Sequence, residues 1–493
     1  MRNDDQSVAA FDPSLGRRGN LGLILGPIVF VALILSPAPA GLSAAGWRTA
    51  AVATLMAIWW VTEAIPLPAT GLLPLALLPL FGVTSIREAA APFAHPVIFL
   101  FMGGFFLALA MERWALHRRI ALRIIHAIGT RPRRIIAGFM ASAAFLSMWI
   151  SNTATTLLLL PIGLSVLGLS REAPDNVGDD SPGADFAPAL LLAIAFAASV
   201  GGIGTLIGTP PNALTAAFIE ETYGIRIGFA RWLLVGLPMV AVGLPLIYVI
   251  LTRLAFRVGH TELPGGNELV EREIARLGSI SAGERRVAIV FALAAAAWVT
   301  RPLLQQWVPG ITDAGIAVIV GLALFTVPGD LKRGEFLLNW TWAQRLPWGV
   351  LLLFGGGLSL ASAIDRSGLA AWLADSFAAL GGWPFAAILL LVIVSAILFS
   401  ELASNTATAA AFLPVVGALA ISIGVEPLHI VIPAGLAASG GYMLPVATPP
   451  NAIVYSTGRV TVPQLVRAGA LLDLVFVVIV TGIGYVIVPR LFS

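Results

Sequence analysis

The chain contains no cysteine, so disulfides, thiolate metal sites and cysteine nucleophiles are excluded. It is nearly as poor in charge: Asp, Glu, Lys and Arg make up 11% of its 493 residues, against roughly 25% in an average soluble domain. It has no His-Glu-x-x-His helix, Gly-x-Ser-x-Gly elbow or pair of membrane aspartates, the patterns that supply an intramembrane nucleophile or metal centre, and no enzyme is expected. A net charge of +3 is uninformative by itself, and no nucleic-acid partner is expected. What remains is apolar. With 58% hydrophobic side chains and a mean hydropathy of +0.92, the chain reads as a membrane protein with lipid as its solvent.

A hydrocarbon core about 30 Å thick takes roughly 20 apolar residues per helix, which leaves room for about ten or eleven crossings. The first apolar segment, from Leu21, lacks a small-residue cleavage site and reads as a retained span. Segments 135–150 and 152–169 together would form a helix of about 50 Å, too long for one crossing, while each half is short for a crossing of its own. A re-entrant hairpin over 135–169, with its tip at 151–153, fits better. Segments 384–403 and 405–424 repeat that anatomy, with a tip at 404–406. The expected fold is an all-α polytopic membrane protein with about 11 transmembrane helices and two re-entrant hairpins.

Lys332 is the only lysine, and the arginines cluster. The densest run is Arg113, Arg118, Arg119, Arg123, Arg131, Arg133 and Arg134, a cytoplasmic loop under the positive-inside rule. Four spans precede it. The N-terminus, with Arg17 and Arg18, is therefore expected in the cytoplasm of a bacterial cell, and the C-terminus on the periplasmic or extracellular side of the inner membrane. Stretches 170–187 and 258–286, rich in Asp, Glu, Gly and Pro, read as cytoplasmic loops, the second with room for a short surface helix.

The chain repeats itself. At a constant offset of 253, Gly103-Gly104 falls on Gly356-Gly357, Glu112-Arg113 on Asp365-Arg366, and Ser151-Asn152-Thr153-Ala154-Thr155 on Ser404-Asn405-Thr406-Ala407-Thr408. Thr209-Pro210-Pro211-Asn212-Ala213 matches Thr448-Pro449-Pro450-Asn451-Ala452 at an offset of 239, and the polar insertion around 171–185 accounts for the difference. An odd number of crossings separates Gly103 from Gly356 whether or not the first hairpin re-enters, so the copies are expected to be antiparallel. Inverted repeats with broken helices and a site near the midplane are the architecture of many secondary transporters.

Irregular backbone at membrane depth is tolerated only where protein buries it or a wet cavity receives it, so both Ser-Asn-Thr tips should face a site. At each tip the second arm begins a helix, whose free N–H groups and positive dipole end favour an anion. The carbonyl end of the first arm offers hard oxygen ligands, joined by the hydroxyls of Ser147 and Ser151, or Ser400 and Ser404, and by the amide oxygens of Asn152 or Asn405. These suit a small cation, sodium by first choice. A single Ser-Asn-Thr is more often an ordinary N-cap, and a single proline pair more often a plain kink. Duplication of both, in the same order, favours the site. Glu401, three residues before the second tip, is an even choice between cation tuning and holding the hairpin. Glu112-Arg113 and Asp365-Arg366 read as interfacial charges, Glu63 and Asp313 as possible buried partners, the Gly pairs as close helix packing and most tryptophans as interface belts.

The paired tips, the Thr209-Pro210 and Thr448-Pro449 motifs and the two-hairpin layout resemble the divalent-anion:sodium symporter family over nearly the whole chain. The resemblance implies carriage of di- or tricarboxylates or sulfate by a homodimer with elevator-type scaffold and transport domains. It implies a first sodium site at Ser147, Ser151, Asn152 and the Gly208 backbone, and a second at Ser400, Ala403, Ser404, Asn405 and Ala447. Substrate carboxylates would meet Asn152, Thr153, Thr209, Asn405, Thr406 and Thr448. The domains expected are scaffold spans 1–94, a first copy 95–257, a cytoplasmic loop 258–286, linking spans 287–346 and a second copy 347–493. The function expected is symport of a C4-dicarboxylate such as succinate, fumarate or malate with co-transported sodium ions. Sodium-independent exchange, sulfate or citrate as the substrate, and a passive anion channel are the rivals.

Overall fold

The computed structural model describes residues 17–129, 131–171, 185–259, 266–377 and 381–492, and helices dominate it. Five helices lead: α1 (Arg17–Leu35), α2 (Ala44–Thr62), α3 (Leu67–Thr70), α4 (Leu73–Leu80) and α5 (Ile86–Ala90). The first copy holds α6 (Pro96–Arg113), α7 (Leu116–Ile128), α8 (Pro132–Ser147), α9 (Asn152–Arg171), α10 (Phe186–Ile203), α11 (Pro210–Tyr223) and α12 (Phe229–Val249). After it come α13 (Gly266–Leu277), α14 (Ala282–Leu304), α15 (Asp313–Thr326) and α16 (Trp340–Ala343), with a short antiparallel strand pair, Pro328–Asp330 against Glu335–Phe336. The second copy holds α17 (Trp348–Arg366), α18 (Leu369–Phe377), α19 (Phe385–Leu402), α20 (Asn405–Ser422), α21 (Leu428–Ala437), α22 (Pro449–Ser456) and α23 (Val462–Gly482), followed by α24 (Val488–Phe492).

The copies correspond helix by helix, down to a π-helical turn after α12 at Ile250–Leu254 that recurs after α23 at Ile483–Ile487. Their relative direction is visible at two arginines. Arg231, at the start of α12, donates to the carbonyl of Leu491 at 3.0 Å, and Arg467, at the start of α23, donates to that of Leu254 at 3.2 Å. Each helix begins where the other ends. The equivalent helices α12 and α23 thus run antiparallel, as the crossing parity requires. Arg231 also lies over the Phe492 ring at 4.8 Å.

Nine helices among the described residues are long and apolar enough to cross a membrane, both 18-residue arms of the second hairpin included. Seven of the eleven expected spans are among these nine; segments 65–82 and 428–457 are broken, segment 311–328 forms a helix of only 14 residues, α15, and the 19-residue α2 falls outside the nine. Segment 187–219 is cut into α10 and α11, segment 428–457 into α21 and α22, and segment 65–82 into α3 and α4. Hydropathy averages over these interruptions, whereas proline forces the residue before it to be extended: Thr209 has φ −141° and ψ 143°, and Thr448 has φ −138° and ψ 148°.

Other expectations change in detail. The arginine-rich stretch after α6 is a helix, α7, and its buried Arg119 pairs with Glu284 and donates to the carbonyls of Leu277 and Gly278. The 258–286 loop contains α13 and yields its last residues to α14, where Ser281 and Glu284 form a capping box. The polar insertion falls largely on 172–184, outside the described residues. Trp60, Trp232 and Trp298 are core residues rather than belt residues; buried indoles need acceptors, and Trp232 and Trp298 find the carbonyls of Ile203 and Asp313. Asp313 is a buried partner of Arg301 at 2.8 Å, whereas Glu63 is exposed. Glu112 pairs with Arg345 and Arg366 with Glu88 at helix ends. The glycine pairs pack closely, since a Cβ at Gly103 would strike the Ala317 carbonyl and one at Gly356 the Gly71 carbonyl.

Candidate functional site

Each hairpin tip is the N-terminus of a helix, whose leading N–H groups have no intrahelical acceptor. In the first, α8 ends at Ser147 and α9 begins at Asn152; Ser151 caps it by accepting from the N–H of Ala154 at 3.2 Å. Across the break, the fully buried hydroxyl of Ser147 donates to Asn152 Oδ1 at 2.6 Å. The second tip repeats the bond: Ser400, equally buried, donates to Asn405 Oδ1 at 2.7 Å, with the Ala438 carbonyl as an alternative acceptor at the same distance.

The loop of the broken helix closes on this pair. A Cβ at Gly208 would run into the carbonyl oxygens of Gly202 and Ser147, and a Cβ at Gly202 into Asn152 Oδ1 and the Gly208 carbonyl. Oxygens of Ser147, Asn152, Gly202 and Gly208 therefore converge on one small volume. In the second copy a Cβ at Gly441 would touch the Ser400 carbonyl and Ala447, which brings Ser400, Asn405 and Ala447 together; Ala403 and Ser404 link them along the chain. Gly202 and Gly441 are additions to the expected site, and the signal for them was present, because Gly201-Gly202 recurs as Gly440-Gly441 at the same offset of 239 as the proline motif.

Asn212 and Asn451, the last residues of the Thr-Pro-Pro-Asn motifs, organise the unwound loops. Asn212 Nδ2 reaches the carbonyls of Gly202, Ile203 and Thr205 at 3.1, 3.2 and 2.7 Å, and Asn451 Nδ2 those of Gly441 and Leu444 at 3.4 and 3.1 Å. Both residues are fully buried and hold carbonyls that a helix would otherwise have used. Thr209 and Thr448 are buried at the N-caps of α11 and α22, and the Thr448 hydroxyl accepts from the Asn451 N–H at 3.3 Å. Thr406 is buried and Thr153 half-buried, each in the first turn of the helix that its tip begins.

The copies cross over one another. α9 packs against α22, and α20 against α11, so each hairpin's second arm meets the proline helix of the other copy. No arginine or lysine stands in either tip or either Thr-Pro-Pro-Asn segment. The arrangement can meet anionic charge with backbone N–H groups and helix dipoles, and it can hold hard cations with neutral hydroxyl, amide and carbonyl oxygens. Glu401 takes no part in that oxygen set: its carboxylate accepts from the N–H groups of Met443 and Leu444 at 2.8 and 2.9 Å.

Inverted copies, paired broken helices and oxygen-lined tips define a multi-pass membrane transporter of the secondary type. The chain belongs to the sodium:sulfate symporter family, whose transmembrane region it matches over residues 18–493. It is 42% identical over 475 residues to the sodium-dependent dicarboxylate transporter SdcS of Staphylococcus saprophyticus, covering 95% of this chain and 91% of that protein. It is 39% identical over 473 residues to the sodium-dependent dicarboxylate transporter SdcS of Staphylococcus aureus, again covering 95% of this chain and 91% of the relative. The fold is also similar to that of the Alcanivorax borkumensis YdaH transporter, with a TM-score of 0.60 at 15% identity, over 89% of this chain and 98% of that one.

Proposed function

We propose that this protein is a sodium-coupled symporter of C4-dicarboxylates such as succinate, fumarate or malate. The observation that carries the proposal is the doubled Ser-Asn pair at 2.6 and 2.7 Å, set against loop carbonyls and crossed onto the other copy's proline helix. The likeness to two sodium-dependent dicarboxylate transporters supports the choice of ion and substrate.

One sodium ion binds among Ser147, Ser151, Asn152 and the Gly208 backbone, and a second among Ser400, Ala403, Ser404, Asn405 and Ala447. Each draws a hairpin tip onto its broken helix. With both tips drawn in, one carboxylate of the substrate meets Asn152, Thr153 and Thr209, and the other meets Asn405, Thr406 and Thr448. The ions offset the dianion's charge in a site that has no basic side chain, so empty-site binding of the anion is weak and transport is coupled to sodium. The hairpins re-enter, a reading supported by Glu401 at the tip end of α19 lying beside Asp473 in the middle of α23. Residues 1–94 serve as the dimer scaffold, and 287–346 link the two copies that move past it.

Proteoliposomes test the coupling. Succinate uptake into empty vesicles should require an inward sodium gradient; uptake that needs only internal dicarboxylate would identify an exchanger, and conductance indifferent to sodium a channel. Because the chain has no cysteine, single-cysteine labelling from either side reads the topology directly, with the N-terminus expected inside and the C-terminus outside.

A further inference from the structure

The two hairpin tips are held from different directions. In the first, Trp149 lies between Ser147 and Ser151 and packs onto rings outside the hairpin, Phe229 at 5.9 Å and Phe291 of α14 at 4.7 Å. Its counterpart at the offset of 253 is Leu402, whose side chain is 53% exposed, and Leu398 and Phe399 beside it are exposed as well. This second tip is reached from outside through its backbone: Arg18, in the first turn of α1, donates from Nη2 to the Leu402 carbonyl at 3.0 Å. That carbonyl is the last of α19, where Ala403 turns extended at φ −132° and ψ 162°. It has left the helical ladder and carries the negative end of the helix dipole, a natural seat for a guanidinium.

The contact also fixes a depth. α19 is 18 residues long, about 27 Å at 1.5 Å per residue, which is nearly a full hydrocarbon crossing. With the N-terminus in the cytoplasm, the last turn of α19 stands level with the inner end of α1. Under the reading above, α1 belongs to the scaffold and α19 to a copy that moves past it, so a 3.0 Å bond between them exists at only one end of the stroke. Resting on that moving-hairpin reading, we propose that Arg18 is a positioning residue. It latches the second hairpin to α1 when the site faces the cytoplasm, and it must let go of Leu402 before the tip can travel outward. A hydrogen bond of this kind is worth about fivefold in an equilibrium, enough to bias the carrier toward the inner state and weak enough to break in every cycle. A contact made in one of two states shifts their populations and leaves each site's intrinsic affinity alone.

Because the chain has no cysteine, Arg18→Cys and Leu402→Cys together introduce the protein's only two thiols. In the full-length protein in proteoliposomes, a short bis-methanethiosulfonate should join them and stop succinate flux, sodium-driven or exchange, until a reductant cleaves the link and restores it. Absence of a link between thiols that each react with a monofunctional reagent would overturn the latch and leave the moving-hairpin reading intact. A link that leaves flux undiminished would overturn both, because the tip would then never part from α1. Arg18→Ala separates a latch from a chance contact. In right-side-out vesicles it should lower the external sodium and succinate concentrations for half-maximal uptake by one common factor of up to about fivefold, with Arg18→Lys nearer the wild type. Unchanged values would mark the contact as incidental, and a shift in sodium alone would place Arg18 in the ion site; either result sinks the latch.

Discussion

Ser147 donates to the side-chain oxygen of Asn152 at 2.6 Å across the break in the first hairpin, fixing two oxygens side by side before any ion arrives. In the proposed site Asn152 turns its amide N–H groups to the anion and its Oδ1, already beside the Ser147 hydroxyl, to the cation. Loss of one such hydrogen bond costs about 1 kcal/mol, roughly a fivefold change in an equilibrium. Ser147→Ala and Ser400→Ala are each expected to raise the sodium concentration for half-maximal succinate uptake about fivefold. Asn152→Ala and Asn405→Ala remove both functions and should abolish uptake with expression intact. Near-normal uptake in the two asparagine variants would remove the basis for the site.

Gly208 tests the convergence of carbonyls from the other side. A methyl group there meets backbone oxygens of Gly202 and Ser147, which have no flexible end to yield. Gly208→Ala should therefore push the loop off the first tip, and the sodium-induced rise in melting temperature should shrink while the protein still elutes as a folded species. An undiminished sodium shift would show that Gly208 stands apart from the ion.

The doubled motifs were legible because proline and Ser-Asn-Thr constrain the backbone in ways that survive without an alignment, and because chance seldom repeats them at matched offsets. Gly202 and Gly441 were harder, since a chain with 50 glycines makes each one look ordinary until the carbonyl it faces is known. Asn212 and Asn451 were visible as letters but not as clamps; their partners are carbonyls up to ten residues away. A count of arginines ignores period and makes α7 look like loop, although apolar residues recur along Leu116–Ile128 at helical spacing. Asp473 is a lone acid in a long apolar helix, and only packing shows that it meets Glu401.

His117 sits on α7 outside the spanning helices, and burial pushes its imidazole down to about 4 from an ordinary 6.5. The folded state thus prefers the neutral ring, consistent with a hydrogen bond to the Met111 carbonyl at 3.1 Å through Nδ1. The stability this group adds is whole above about pH 6.5 and is lost as pH falls toward about 4, by ~3 kcal/mol at the limit. His117→Gln keeps a donor for that carbonyl but cannot titrate. Its melting temperature should fall less steeply than the wild type's over that interval, and parallel curves would show that His117 is not strained by protonation.

Asn212 and Asn451 separate packing from chemistry at the unwound loops. Each Nδ2 group faces carbonyls that have left the helical ladder, three for Asn212 and two for Asn451. Truncation to alanine strands those carbonyls in a buried setting, at about 1–3 kcal/mol, and should cost more at position 212 than at 451 because more acceptors lose their donor. Aspartate is nearly the same size but turns an acceptor toward the carbonyls, so repulsion replaces attraction. Asn212→Asp should therefore melt below Asn212→Ala and need more sodium for half-maximal uptake, although it fills the space better. If volume were what mattered, aspartate would outperform alanine on both measures, and the clamp would have to be given up.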